Sequence, residues 1–184
     1  ELFNRVFDNA ATTIGLVNSF LTITFLSVLQ FGIYQLILAF IAIIDGLTIK
    51  NLDQPIVTEM RHYFANNEKD KAKRIFLEMS VWRIGFALLM GVAIFFGSEA
   101  IAGWYGDDIG LLIKLASPLL LFLSIHSLES VFFTSVIAFT HWSLPAIREV
   151  SKLLIIGALI FFGQFTIIGI VAAHVASEGI AVLA

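Results

Sequence analysis

Cysteine is absent from the 184 residues, which excludes disulfides, thiol catalysis and thiolate-bound zinc. Charge is scarce: Asp, Glu, Lys and Arg make up 14% of the chain, against about 25% in soluble domains. Apolar residues make up 59%, against about 45 to 50% in that class, so a soluble globular domain is excluded. The formal net charge of −3 gives no basis for nucleic-acid binding. Serine-rich linkers, short repeats and low-complexity tracts are missing, and no stretch has the composition of a soluble domain. Enzyme signatures are missing too, with no G-x-S-x-G, no Walker-type glycine loop and no H-E-x-x-H. Neither catalysis nor a cofactor or metal is expected.

What fills the chain instead is apolar runs at about 10–31, 32–49, 75–96, 111–139, 146–162 and 165 to the end. About 20 apolar residues cross a bilayer, so the expected fold is all-α, a polytopic helix bundle of five complete spans plus a truncated sixth. The whole of 1–184 reads as one transmembrane lobe, a fragment of a longer chain. No A-x-A-like cleavage site follows the first run, which favours a retained span over a signal peptide.

Between the second and third runs lies a basic strip of Lys50, Arg61, Lys69, Lys71, Lys73 and Arg74. Arg5 precedes the first span and Arg148 and Lys152 fall in the 140–152 connection, whereas the connections near Gln30, Gly97–Gly110 and Gly163 carry no Lys or Arg. By the positive-inside rule the N-terminus, the 50–74 loop and the 140–152 loop are cytoplasmic, in a multi-pass protein of the cytoplasmic membrane. The 97–110 loop is then external, with Trp104 and Tyr105 at the interface.

Within the 50–74 loop, Pro55 suits a first helical turn, and Ile56, Met60, Tyr63 and Phe64 form an apolar stripe fit to lie on the membrane or against the bundle. Asn67 followed by Asp70 reads as an N-cap, and the basic cluster after it meets anionic lipid headgroups.

Phe31-Gly32-Ile33-Tyr34, the helix end Asp45-Gly46-Leu47 and the stretch from Thr58 to Arg74 resemble the polysaccharide biosynthesis or O-antigen flippase family. That family belongs to the multidrug/oligosaccharidyl-lipid/polysaccharide exporter superfamily. Leu115-Ala116-Ser117-Pro118-Leu119 and Ala146-Ile147-Arg148-Glu149-Val150 are similar to its fourth and fifth span openings, while Ala138-Phe139-Thr140-His141-Trp142 departs from the pattern. The resemblance implies an N-terminal lobe of a two-lobe exporter. It further implies flipping of a lipid-linked oligosaccharide or polysaccharide precursor by alternating access, with a second lobe of the same chain as the other wall of the cavity.

Charges inside a membrane are costly and mark substrate or ion paths by default. The candidate substrate-binding residues are Arg83, Glu129, His126, Asp45, Glu178 and His174. Arg83 lies well inside the third span, where a planar guanidinium suits a diphosphate headgroup; the alternatives are snorkelling or a structural pair with Glu78 or Asp45. His126 with Glu129, three apart, and His174 with Glu178, four apart, each share a helix face, and both pairs suit either proton exchange or interhelical hydrogen bonds. Asp45 caps, pairs with Lys50 or lines the cavity. Glu78 reads as interfacial, and Lys114 as an anchor near the outer interface.

Two further functions stand beside the flippase: a multidrug or cation antiporter of the same superfamily, and a non-transporting membrane scaffold. The antiporter wants a carboxylate deep in the first span, where only Asn18 and hydroxyl residues are found; the scaffold would use the small residues Ala87 and Gly91 for helix packing.

Overall fold

A computed structural model describes residues 2–47, 52–105, 107–136 and 143–183, with side chains from residue 9 onward and without those of 104–108 and 143–144. Among the described residues there is no strand, and eight helices follow in order. They are α1 (Leu2–Phe25), α2 (Val28–Leu47), α3 (Asp53–Ala65), α4 (Lys69–Tyr105), α5 (Asp107–Ala116), α6 (Leu119–Val136), α7 (Ser143–Phe161) and α8 (Ile167–Leu183).

Three stretches are long and apolar enough to cross a membrane: α2, most of α4, and α5 with α6 taken together. α8 is apolar but shorter. Outward-facing apolar side chains accompany them. On α4, Val81, Leu89 and Phe96 recur every seven or eight residues at 71%, 65% and 77% exposure, a stripe that water would penalise and lipid accepts.

Local chemistry sets the boundaries. Ser27 Oγ accepts the Gln30 amide at 3.3 Å while Gln30 Oε1 accepts the Ser27 amide at 3.2 Å, a reciprocal capping box that starts α2. The first two spans therefore divide at residues 26–27, five residues before the position expected from the apolar runs. α3 ends in a Schellman turn, with the Asn67 amide donating to Phe64 O at 3.2 Å and the Glu68 amide to Tyr63 O at 2.8 Å. Asn67 sits there at φ 60°, so it terminates α3 and is not the N-cap of the next helix. α7 ends the same way at Gly163, φ 65°, and Thr166 Oγ1 then caps α8 by accepting the Gly169 amide at 3.2 Å.

The expected loops are largely helical. α4 runs for 37 residues, about 55 Å at 1.5 Å per residue, so it takes up both the Lys69–Arg74 cluster and most of the expected 97–110 loop. The expected fourth span is broken at Ser117-Pro118, where the proline lacks the amide needed to continue α5 into α6. α7 starts at Ser143, which places Arg148 and Lys152 inside a helix and not in a connection. Lys50 and Ala138–Trp142 lie outside the described residues.

Packing forms one main core around Tyr34, Ile37 and Ile41 of α2, Leu112 and Ala116 of α5, Ile156 of α7 and Ile170 of α8. A second cluster joins Val57 and Met60 of α3 to Met79 of α4 and Leu128 and Val131 of α6. The apolar stripe of α3 thus lies against the bundle. Arg61 adds a polar tie, donating from Nε and Nη2 to Thr134 O at 3.1 and 2.8 Å in the last turn of α6, where a cation also suits the helix dipole. Gly110 permits the close approach of α5 to α4, since a Cβ there would stand 2.9 Å from the Ala102 Cβ and 3.3 Å from Ser98 O.

Candidate functional site

Polar side chains in the bundle collect in two places. The first is a closed triad between α3, α4 and α6. Arg83 is 1% exposed and donates from Nη2 to Asp53 Oδ1 at 2.6 Å and from Nη1 to Ser127 Oγ at 2.8 Å. Ser127 in turn donates to Asp53 Oδ2 at 2.9 Å, so the hydroxyl serves as acceptor and donor at once. Asp53 reaches this position because it opens α3, which the Val57 and Met60 contacts press onto α4 and α6.

Arg83 therefore does not snorkel, and its carboxylate partner is Asp53 rather than Glu78 or Asp45. Glu78 pairs with Arg74 at 2.8 Å on the exposed side of α4. Asp45 is buried near the end of α2. His126 Nδ1 and Glu129 Oε2 face each other on α6 at 3.7 Å, just beyond hydrogen-bond length. Lys114 meets Glu99 at 2.7 Å, which ties α5 to α4 as an exposed anchor.

The second place is the crossing of α1, α2, α7 and α8. Arg148 contacts Glu149 Oε1 at 3.1 Å and Glu178 Oε1 at 3.4 Å. Asn18 donates from Nδ2 to both the backbone oxygen and Oε2 of Glu149, each at 3.0 Å. Lys152 Nζ lies 3.3 Å from the Tyr34 hydroxyl and 3.2 Å from His174 Nδ1, and Tyr34 and His174 are 2.9 Å apart. His174 Nε2 is 4.0 Å from Glu178 Oε1, which closes the chain of contacts.

Seven side chains from four helices thus form one network. Its two cations, Arg148 and Lys152, balance its two carboxylates, Glu149 and Glu178. The lysine ammonium can only donate, so His174 Nδ1 accepts from Lys152 and Tyr34; its proton then sits on Nε2, directed at Glu178. Glu178 Oε2 and Asn18 Oδ1 are buried acceptors without a hydrogen-bond partner in the structure, so the centre holds unspent accepting capacity.

Lys152 lies about 14 Å along α7 from Ser143, and Glu178 about 17 Å along α8 from Ile167.

Of the residues singled out from sequence, His174 and Glu178 join this second network, Arg83 belongs to the triad, and His126 with Glu129 makes a separate pair. Asp53, Asn18, Tyr34, Arg148, Glu149 and Lys152 are polar contributors that the sequence reading left outside the site. A readable signal existed for the α7 group. Ser143 followed by Pro145 marks a helix start, which puts Arg148 and Lys152 four apart on one face. Comparison with protein-family models, with curated proteins and with solved structures finds no match to this chain.

Proposed function

We propose that this chain is a helical membrane lobe of a transporter, crossing the bilayer six times through α1, α2, α4, α5 with α6, α7 and α8, its N-terminus cytoplasmic. The single observation that supports transport is the charge-balanced network at the α1/α2/α7/α8 crossing. Four charges held inside these helices, Arg148 and Glu149 about 8 and 9 Å and Lys152 about 14 Å along α7 and Glu178 about 17 Å along α8, are an expensive way to pack a bundle, and such groups in membranes usually line a path for ions or substrate. The substrate class, a lipid-linked oligosaccharide or polysaccharide precursor, rests on the resemblance carried by Phe31–Tyr34, Asp45–Leu47 and the Thr58–Arg74 stretch. In this reading Arg148 and Lys152, more than Arg83 with its Asp53 and Ser127 partners, are the cations able to exchange a carboxylate or neutral partner for an anionic headgroup.

Reconstitution of the full protein in vesicles with a fluorescent lipid-linked oligosaccharide tests it. Loss of external protection of the label, faster than in protein-free vesicles and slowed in Arg148→Gln and Lys152→Gln, is the expected result. Movement no faster than in empty vesicles, under any ion gradient, would remove the transport reading.

A second reading, a non-transporting scaffold, is favoured by the Arg83 triad, whose charges are paired within the lobe; Ala87 and Gly91, the small residues expected to pack partner helices, instead face the α5–α6 junction of the same chain, where a Cβ on Gly91 would contact Ser117 O at 3.5 Å. A scaffold keeps its function when Glu149, Arg148, Lys152 and Glu178 are all replaced by apolar residues that still fold. A transporter does not.

A further inference from the structure

Beside the Arg83 triad, the α3 and α4 helices leave an open groove of about 230 Å³ on the bundle surface. Leu52 and Ile56 line it from one side and Ile75, Met79 and Trp82 from the other, so the lining is apolar except for Glu78 and Arg83. The Arg83 guanidinium that backs the groove is committed to Asp53 and Ser127. Trp82 is 72% exposed beside it.

The order of side chains along this face of α4 follows the order of chemistry in a phospholipid. Lys71, Arg74 with Ile75, Glu78 and Trp82 recur at helical spacing on one side of the helix. Two exposed cations come first, Lys71 paired with Glu68 at 3.0 Å and Arg74, then a carboxylate, then an aromatic ring and the apolar wall. Arg74 donates from Nε to Glu78 Oε1 at 2.8 Å with both side chains largely in solvent, an arrangement worth little in itself and open to exchange. A phosphate diester satisfies the guanidinium as well as a carboxylate does and presents the same bidentate geometry.

We propose that the α3–α4 groove is a binding site for an anionic phospholipid of the surrounding bilayer, its acyl chain against Ile56, Met79 and Trp82 and its phosphate on Arg74 in place of Glu78. Charge complementarity selects the occupant: the cations stand at one end of an apolar groove, and a zwitterionic lipid gains less from them because its own ammonium opposes the contact. The inference is independent of the transport reading and its readout needs no substrate.

Trp82 reports on the site directly. In the full protein with every tryptophan other than Trp82 replaced by phenylalanine, Trp104 and Trp142 included, reconstituted in vesicles, quenching of Trp82 is compared between brominated phosphatidylglycerol and brominated phosphatidylcholine at equal mole fraction. The expected relative affinity for the anionic lipid is about fivefold, the factor that corresponds to roughly 1 kcal/mol per interfacial cation. Arg74→Gln brings the ratio to about one. Glu78→Gln raises it, because the internal competitor for Arg74 is gone. Both side chains are exposed, so neither change threatens the fold. A ratio near one in the unmodified site, a ratio that Arg74→Gln leaves unchanged, or absence of quenching by either lipid would overturn the proposal; the last would mean that protein covers the groove.

Discussion

Arg83 and Asp53 meet at 2.6 Å between α4 and α3, with the arginine almost wholly removed from solvent. The consequence is mechanical as well as electrostatic. α3 lies between two candidate spans, and this pair, with Arg61 on Thr134 O at its other end, holds it to the bundle. Breaking a buried pair by removing one partner costs about 3 to 5 kcal/mol, because an uncompensated charge remains; removing both is much milder. Arg83→Ala is therefore expected to lower the folded fraction strongly and Asp53→Ala to do the same, while the double substitution recovers most of the loss. Thermal denaturation of the four proteins in detergent measures it. Additive losses would dissolve the pair as a structural element.

Gly110 offers a local test of the α4–α5 contact. A Cβ there would stand 2.9 Å from the Ala102 Cβ, so Gly110→Ala forces the two helices apart, and overpacking of this kind costs about 1 to 3 kcal/mol. Ala102→Gly in the same chain removes the nearest clash and restores part of the stability. Gly85→Ala, where a Cβ meets nothing within 4 Å, is the control that stays neutral or stabilises. Melting temperatures of the three variants and the unmodified protein decide the matter.

Asn67 holds a left-handed backbone, φ 60°, at the end of α3. Asn67→Gly is accepted there, whereas a β-branched residue pays the left-handed penalty of about 1 to 2 kcal/mol. Asn67→Val is thus expected to loosen the α3–α4 turn. Limited proteolysis at that turn, compared with Asn67→Gly, gives the readout; equal cleavage of the two would contradict the assignment.

Tyr34 and Lys152 belong to helices 118 residues apart in sequence yet lie 3.3 Å from one another. Tyr34→Phe removes the hydroxyl that bridges Lys152 and His174 and leaves the fold charge-balanced, with an expected loss of about 1 to 3 kcal/mol. Lys152→Met is more harmful because Glu149 and Glu178 then face Arg148 alone. Combining Lys152→Met with Glu178→Gln restores the balance and part of the stability. Denaturation curves that rank the charge-balanced double variant below Lys152→Met would overturn the network as described.

The all-helical class and the apolar lengths of α2 and α4 were legible because hydrocarbon thickness sets a minimum run of apolar residues. Capping chemistry decided what that count cannot see. Ser27 and Gln30 moved the first boundary, Pro118 split α5 from α6, and α4 absorbed an expected loop because Glu99 is compatible with a helix that meets Lys114. Arg148 and Lys152 read as loop charges since a count of Lys and Arg does not register which way a helix faces. Tyr34 and Asn18 stand out in the sequence as a motif residue and as a polar residue in an apolar run, but their partners appear only when α2 meets α8 and α1 meets α7. His174 and Glu178 were found because their spacing of four is local, whereas Asp53 as the partner of Arg83 requires the tertiary docking of α3.

The central claim is that the α1/α2/α7/α8 network lines a path that water and substrate reach. These 184 residues contain no cysteine, so once any cysteine elsewhere in the full protein is replaced by serine, single cysteines report without background. Cysteines at Glu149 and Glu178, in the full protein reconstituted in vesicles, are expected to react with a membrane-impermeant thiol reagent and to be protected by a lipid-linked oligosaccharide. A cysteine at Leu154, which is 69% exposed on the outer face of α7, should stay silent in lipid. Reaction at positions 149 and 178 no faster than at 154, with and without the lipid-linked oligosaccharide, would contradict the account and leave the network as packing.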